Sequence, residues 1–290
     1  MAYANILGGK PREALELYLE ANNINPRTPY NYAGWCYFQL GEFDKAILLA
    51  DKNIKEDPNN SIYYIDMGNA TNALGLFDYS ISYANKALEI NANHSFAYDN
   101  LRQLAFYKRN YPEALHYLQR AMQNGESAEY ELAQGIIYFK MDSLDKAYSI
   151  LNTNFREGFN EESGDENSKI TVYELMQYQA LVMIKMGEEN KGRSVLRELM
   201  VSIENNISDG RPQKYYLLAG SYATLGNTDK SLSYLNQLID LGYNTYFEII
   251  NNSLLDPLHG NAEYEDILAK IKERNDEMKE AVLKEGILTE

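Results

Sequence analysis

The chain has 290 residues, 27 Lys plus Arg against 42 Asp plus Glu, a net charge of −15 and a mean hydropathy of −0.48. With 45% hydrophobic and 24% charged residues it has enough apolar surface to fold, yet no apolar run approaches the roughly 20 residues of a membrane span. The acidic balance, with no basic patch concentrated anywhere, repels a phosphate backbone and argues against nucleic-acid and membrane partners. A single cysteine, Cys36, excludes a disulfide framework and a multi-cysteine metal site. The N-terminal residues lack the basic region and apolar stretch of a secretory signal, so a cytoplasmic protein is expected. Among aromatic residues, 25 are tyrosine against 9 phenylalanine and one tryptophan, which suits many half-buried helix faces.

In chain order, the organising signal is a repeat of 34 residues. From Arg27 the unit carries Tyr30, Ala33, Gly34, Tyr37, Gly41, Ala46, Ala50 and Pro58. From Ser61 the same positions hold Tyr64, Met67, Gly68, Thr71, Gly75, Ser80 and Ala84, followed by Ala87; from Ser95 they hold Tyr98, Leu101, Ala105, Ala114, Leu118 and Ala121. Each unit reads as two helices: Tyr30, Ala33, Tyr37 and Phe38 share one helical face, and Phe43, Ala46, Ile47, Ala50 and Ile54 share the next. Gly41 punctuates the pair, Asp57-Pro58 ends the second helix, and Ser61 is placed to cap the following one.

These residues resemble the tetratricopeptide repeat, whose pattern is W-x2-L-G-x2-Y, then A-x3-F, then P. The resemblance implies an all-α, right-handed superhelical solenoid of antiparallel helix pairs, in which stacking neighbours buries faces no pair can bury alone. Residues 1–26 read as a truncated first repeat, 27–160 as four repeats, 161–172 as an acidic loop, 173–245 as two degenerate repeats and 246–290 as C-terminal capping helices. The truncated unit suggests a fragment of a longer chain, or a start that pairs with a second copy in a homo-oligomer. The later units slip in register, starting near Ala128, Tyr173 and Pro212. Glu157 to Ser168 reads as a solvated acidic loop lacking the ligand order of a calcium site, and Asn205 to Arg211 as a plain connector. The terminal helix from Ala262 carries Tyr264, Ile267, Leu268, Ile271, Met278 and Val282 on one face; with the preceding Asp256-Pro257-Leu258 turn it resembles endings of repeat regions in bacterial regulatory proteins.

Convergent chemistry is sparse. His94, His116 and His259 have no paired metal-ligand spacing, Cys36 between Trp35 and Tyr37 reads as a small buried thiol, and Gly8-Gly9-Lys10 is followed by Pro11 rather than the Ser or Thr of a phosphate loop. No catalytic residue, metal or cofactor is expected, so the chain reads as a non-enzyme. The family resemblance implies instead a protein–protein interaction scaffold or adaptor. Its concave groove is lined by positions 2, 5, 9 and 12 of each first helix: Asn31, Trp35 and Phe38; Ile62, Ile65, Asn69 and Asn72; Phe96, Asp99, Gln103 and Phe106; Leu132, Ile136 and Phe139. Amides here suit the N–H and C=O groups of a peptide, and the aromatic residues suit its apolar side chains. Trp35 fits either a groove contact or core packing. The positions used by the family's chaperone carboxylate clamp hold Asn31, Trp35, Asp66, Phe96 and Asn100 in place of its Lys, Asn and Arg residues, so a carboxylate clamp is not expected. The charge favours a neutral or basic protein or peptide partner. The alternative is a sensory or regulatory region of a larger bacterial signalling or transcription-regulating protein.

Overall fold

The computed structural model describes residues 10–24, 32–123, 128–152 and 165–288. Asn31, the first unit up to residue 9 and the acidic stretch 153–164 lie outside these residues. Among the described residues there are helices and no strands. After α1 (Pro11–Ile24), helices come in pairs: α2 (Ala33–Gln39) with α3 (Phe43–Glu56), α4 (Ser61–Ala73) with α5 (Phe77–Ile90), α6 (Ser95–Tyr107) with α7 (Tyr111–Met122) and α8 (Ala128–Lys140) with α9 (Leu144–Leu151). The pairing continues with α10 (Glu166–Lys185) and α11 (Glu189–Asn206), then α12 (Pro212–Thr224) and α13 (Thr228–Asp240). A short α14 (Tyr246–Asn251), a 3-10 turn (Ser253–Leu258) and a long α15 (Ala262–Glu285) complete the described chain.

Within every pair the turn is built the same way. Gly41 N–H donates to Phe38 C=O and Glu42 N–H to Tyr37 C=O, and the pattern recurs at Gly75/Leu76, Arg109/Asn110, Asp142/Ser143, Gly187/Glu188 and Gly226/Asn227. This is the Schellman motif, which satisfies the last carbonyls of the first helix and requires a left-handed residue. Glycine supplies it in four turns, but Arg109 (φ 57°) and Asp142 (φ 55°) adopt it with a side chain. A left-handed L-residue costs about 1–2 kcal/mol, and glycine's extra unfolded-state entropy returns about 0.5–1 of that. Arg109→Gly is therefore expected to stabilise the chain by about 0.5–1 kcal/mol, read as a shift of the urea midpoint at constant m.

Small residues set the closeness of the pairs. Ala46, Ala114, Ala121 and Ala147 are buried to 1% exposure or less, and Ser80 and Ser231 bond carbonyls of the facing helix, Gly68 and Ala219. Two local expectations change. The stretch 161–172 is helical from Glu166 onward, because Asp165 caps α10 by accepting from Asn167 and Ser168 N–H, so the unit placed at Tyr173 starts a full turn or more earlier. The connector 207–211 is not a plain one: Arg211, 5% exposed, reaches back to Glu166 at 2.7 Å and Asn167 at 2.8 Å, fastening α12 to the start of α10.

The larger difference concerns the terminal helix. Its first half behaves as a cap on the last pair, with Tyr264, Ile267, Leu268 and Ile271 packed among Leu232, Leu235, Leu238 and Ile239. Its second half continues to the first complete pair, where Val282, 1% exposed, enters a cluster with Phe43, Ile47, Met67, Leu74 and Tyr83, and Met278 packs alongside. A helix of 24 residues spans about 36 Å, and this one reaches from the cluster on α13 to the cluster on α3. The joint is reinforced by polar contacts: Asn244 Nδ2 donates to Gly41 C=O at 3.3 Å, and Asn275 Nδ2 to Asn244 C=O at 2.9 Å. The solenoid is thus closed on itself, with α15 as its clasp.

Candidate functional site: the concave face and its cavities

First helices of the pairs contribute the concave surface, and closure narrows it to an interior that remains open to solvent. Two adjoining cavities occupy it, of about 310 and 370 Å³. The first is bounded by Gln103 and Phe106 of α6, Leu132 and Ile136 of α8, Gln177 and Tyr178 of α10, and Glu248 to Leu254. The second runs from Trp35 and Phe38 of α2 across to Tyr216 of α12 and the segment 243–245. Glu129, Leu132, Glu174, Tyr216 and Glu248 line both.

Of the residues expected in the groove, Trp35, Phe38, Gln103, Phe106, Leu132 and Ile136 are therefore brought to one interior. Trp35 is 37% exposed and stacks on Phe38 at 5.4 Å with the planes 7° apart. Phe96 is the most exposed of the set at 62%, its ring beside His94. Others go elsewhere. Ile65 is buried with Ala87 and Ala97, so it is core between α4, α5 and α6. The polar residues satisfy one another: Asn100 donates to Asn69 at 3.0 Å, Asn72 to Gln103 at 3.4 Å, Gln103 to Asp99 at 2.9 Å, and Arg102 to Asp99 at 2.7 Å. These bonds tie α4 to α6 and leave Asn72 Oδ1 as a buried acceptor without a hydrogen-bond partner among the described residues. Part of the groove is also filled from within, because Phe247 of α14 packs on Phe77 at 4.9 Å and Tyr107 at 5.7 Å and lies against Gly75.

The electrostatics centre on residues that sequence reasoning missed. Burial pushes the Glu174 carboxyl up to about 8, helped by the negative charges of Glu248 and Glu129. Desolvation beside the cavity walls raises Glu248 and Glu129 as well, although both keep exposed surface, the latter with a contribution from Asp99. Asp66 of α4, lodged against Gly34 of α2, is raised by burial to about 7. One signal was available for Glu174: it is the single charged residue between Ile170 and Ile184. Its companions come from helices remote in sequence and leave no pattern.

These shifts fix a pH dependence. Between the ordinary value of 4.5 and about 8, folded Glu174 holds a proton that the unfolded chain has lost. Stability is thus full below the unfolded value, falls as pH rises through the window, and levels off above about 8. Asp66 acts likewise from 3.8 to about 7. Each contributes a slope of at most about 1.4 kcal/mol per pH unit. Calorimetry at several pH values should show Tm falling from the acid side toward pH 8, and Glu174→Gln should flatten the upper part of that fall.

Elsewhere the chemistry is structural. Cys36 is fully buried with Ala14, Leu15 and Tyr18, and burial pushes its thiol up to about 12, which keeps it protonated and unreactive. His116 is exposed, His259 sits in the turn before α15, and burial lowers His94. Among the described residues no group of three or more His, Cys, Asp or Glu is arranged to hold a metal ion, and no helix is long and apolar enough to cross a membrane.

By fold the chain is a tetratricopeptide-repeat solenoid. It superposes on a chain of the APC/C hetero-tetramer Cut9-Hcn1 with a TM-score of 0.60 at 12% identity, over 93% of this chain and 54% of that one. A tetratricopeptide repeat protein from Parabacteroides merdae gives 0.55 at 16% identity, over 88% of this chain and 95% of that one. In sequence, the tetratricopeptide repeat-containing protein trd-1 of Caenorhabditis elegans is 29% identical over 89 residues, 30% of this chain and only 11% of that protein. No family model matches the chain.

Proposed function

We propose that this chain is a non-catalytic interaction scaffold that takes a peptide or helix of a partner protein on its concave face, where the C-terminal segment leaves it open. The observation that carries the reading is Trp35, a large aromatic residue on the inner face, stacked on Phe38 and left accessible beside a cavity. Such an exposed, pre-positioned ring is the usual anchor of an interface, and Phe96 offers a second one. The acidic residues on the cavity walls favour a basic partner over an acidic one, and the net charge of −15 adds steering toward it. Since both rings are exposed, truncating them should leave the helices intact. The test is Trp35→Ala combined with Phe96→Ala: helicity by circular dichroism is expected to hold while a partner captured by the unaltered chain is lost. Retained capture, or collapse of helicity, sinks the reading.

A second reading, as the regulatory region of a larger signalling protein, draws on α15. A clasp joining the two ends of a solenoid is an element with two natural positions, seated and released. Protection of residues 275–288 from hydrogen exchange that changes when a partner binds would favour it; unchanged protection would count against it.

A further inference from the structure

Three aromatic rings meet on the inner wall, and one of them comes from outside the repeats that form it. Phe77 at the start of α5 and Tyr107 at the end of α6 stand 6.5 Å apart, and Phe247 of α14 closes on them at 4.9 Å and 5.7 Å. The Phe247 ring lies flush on the turn between α4 and α5, since a Cβ on Gly75 would come within 2.9 Å of its Cε2. Gly75, Phe77 and Tyr107 thus form a shallow slot, filled by a side chain from the far end of the chain.

Phe247 is fastened differently from its neighbours. Tyr246, Ile249 and Ile250 belong with the cap cluster around Tyr264 and Ile267, where Ile249 is fully buried. Phe247 stays half-buried and reaches the repeats instead. Among the described residues the hydrogen bonds of α14 run within the C-terminal segment: Tyr246 N–H donates to Asn244 C=O, Glu248 and Ile249 N–H to Thr245 C=O, and Asn251 Nδ2 to Phe247 C=O. The hold on the α4–α6 wall is therefore ring against ring. Such contact is non-directional, so a similar ring offered from outside makes it equally well. The slot also adjoins open space: Tyr107 lines the first cavity, and Glu248, next to Phe247, lines both. A segment lying in either cavity passes beside the seated ring, and the second cavity leads on to Trp35 and Phe38.

We propose that the slot formed by Gly75, Phe77 and Tyr107 is a docking site for an aromatic side chain of the partner, and that Phe247 is its tethered stand-in, seated while the partner is absent and displaced when it binds. This rests on the scaffold reading above and adds to it, because a segment anchored at Trp35 then carries a second aromatic residue into the slot. A tethered competitor lowers the affinity of whatever enters by the fraction of time the slot stands free. Removing the competitor raises that affinity without any new contact.

The experiment is a nuclear magnetic resonance titration of the full chain with a capped tripeptide, acetyl-Ala-Phe-Ala-amide, and with its all-alanine counterpart as control. Phe247→Ala is expected to bind the phenylalanine tripeptide saturably and at least tenfold more tightly than the unaltered chain does, and not to bind the control. Adding Tyr107→Ala should abolish that binding, with circular dichroism checking that both variants stay helical. A second measurement needs no variant: saturating tripeptide should speed hydrogen exchange at residues 246–249 of the unaltered chain. Equal affinity with and without Phe247, binding that survives the double variant, or unchanged exchange overturns the proposal. A concentration-dependent dimer of the unaltered chain whose formation the tripeptide blocks would give the slot to a second copy and overturn the partner assignment. Failure of the slot while capture still depends on Trp35 and Phe96 leaves the scaffold standing; slot binding by a chain whose capture ignores Trp35 and Phe96 keeps the slot and removes those two anchors.

Discussion

Val282→Asp is expected to destabilise the closed solenoid by about 3–5 kcal/mol, because it places an unpaired carboxylate where apolar side chains now meet. Val282 is 1% exposed among Phe43, Ile47, Met67, Leu74 and Tyr83, and the cluster contains no cation to receive the charge. The loss should be local before it is global. The first half of α15 stays anchored through Tyr264, Ile267, Leu268 and Ile271, which belong to the separate cluster on α13. Hydrogen exchange should thus lose protection over residues 275–288 and on α3 while 262–271 remains protected, and small-angle scattering should report a larger radius of gyration. Uniform loss of protection along the chain would show that the clasp and the repeats unfold as one unit.

Gly192→Ala is the second large effect, and its sign opposes helix propensity. In an exposed helix interior that exchange gains about 1 kcal/mol. Here a Cβ on Gly192 would stand 2.5 Å from Ala180 C=O and 2.7 Å from Ile184 Cγ1, so a backbone carbonyl has to move and α10 and α11 have to separate. Overpacking of this kind costs about 1–3 kcal/mol, and the backbone partner puts this site at the upper end. Gly68 provides the internal comparison. A Cβ there finds its nearest neighbours at 3.6 Å, ordinary contact, so Gly68→Ala should stabilise by about 0.5–1 kcal/mol. Chemical denaturation of the two variants side by side decides the matter: shifts of the same sign would mean that helix approach is not what selects glycine at residue 192.

The contrast between these glycines shows what was legible in the sequence. Period, helix pairing and turn chemistry are local, repeated at each unit, and so visible: Gly41, Gly75, Gly187 and Gly226 mark four left-handed turns, and the small residues Ala46, Ser80 and Ala114 mark the close approaches. Ring closure was not visible. The bond from Asn244 to Gly41 joins residues 203 positions apart, and nothing periodic encodes it. Met278 and Val282 were seen to share a face with Ile271, but a helical face does not state how many neighbours divide it. The candidate site was half legible for the same reason. Trp35, Phe38, Gln103, Phe106, Leu132 and Ile136 follow from repeat positions, whereas Glu129, Glu174, Gln177 and Glu248 line one cavity only because the superhelix returns on itself. Ile65 was misplaced because it packs between neighbouring repeats, which a position-by-position template does not resolve.

The clasp also bears on how such a chain is free to vary over generations. An open solenoid tolerates gain or loss of a unit, since each repeat answers only to its neighbours. With α15 seated on both α13 and α3, one additional helix pair would rotate and advance the far end, carrying Phe43 and Ile47 away from Val282. Duplication and deletion of whole repeats, the ordinary currency of change in this architecture, are thereby closed to it unless the terminal helix changes length in step. Its divergence is channelled into substitution within a fixed number of units.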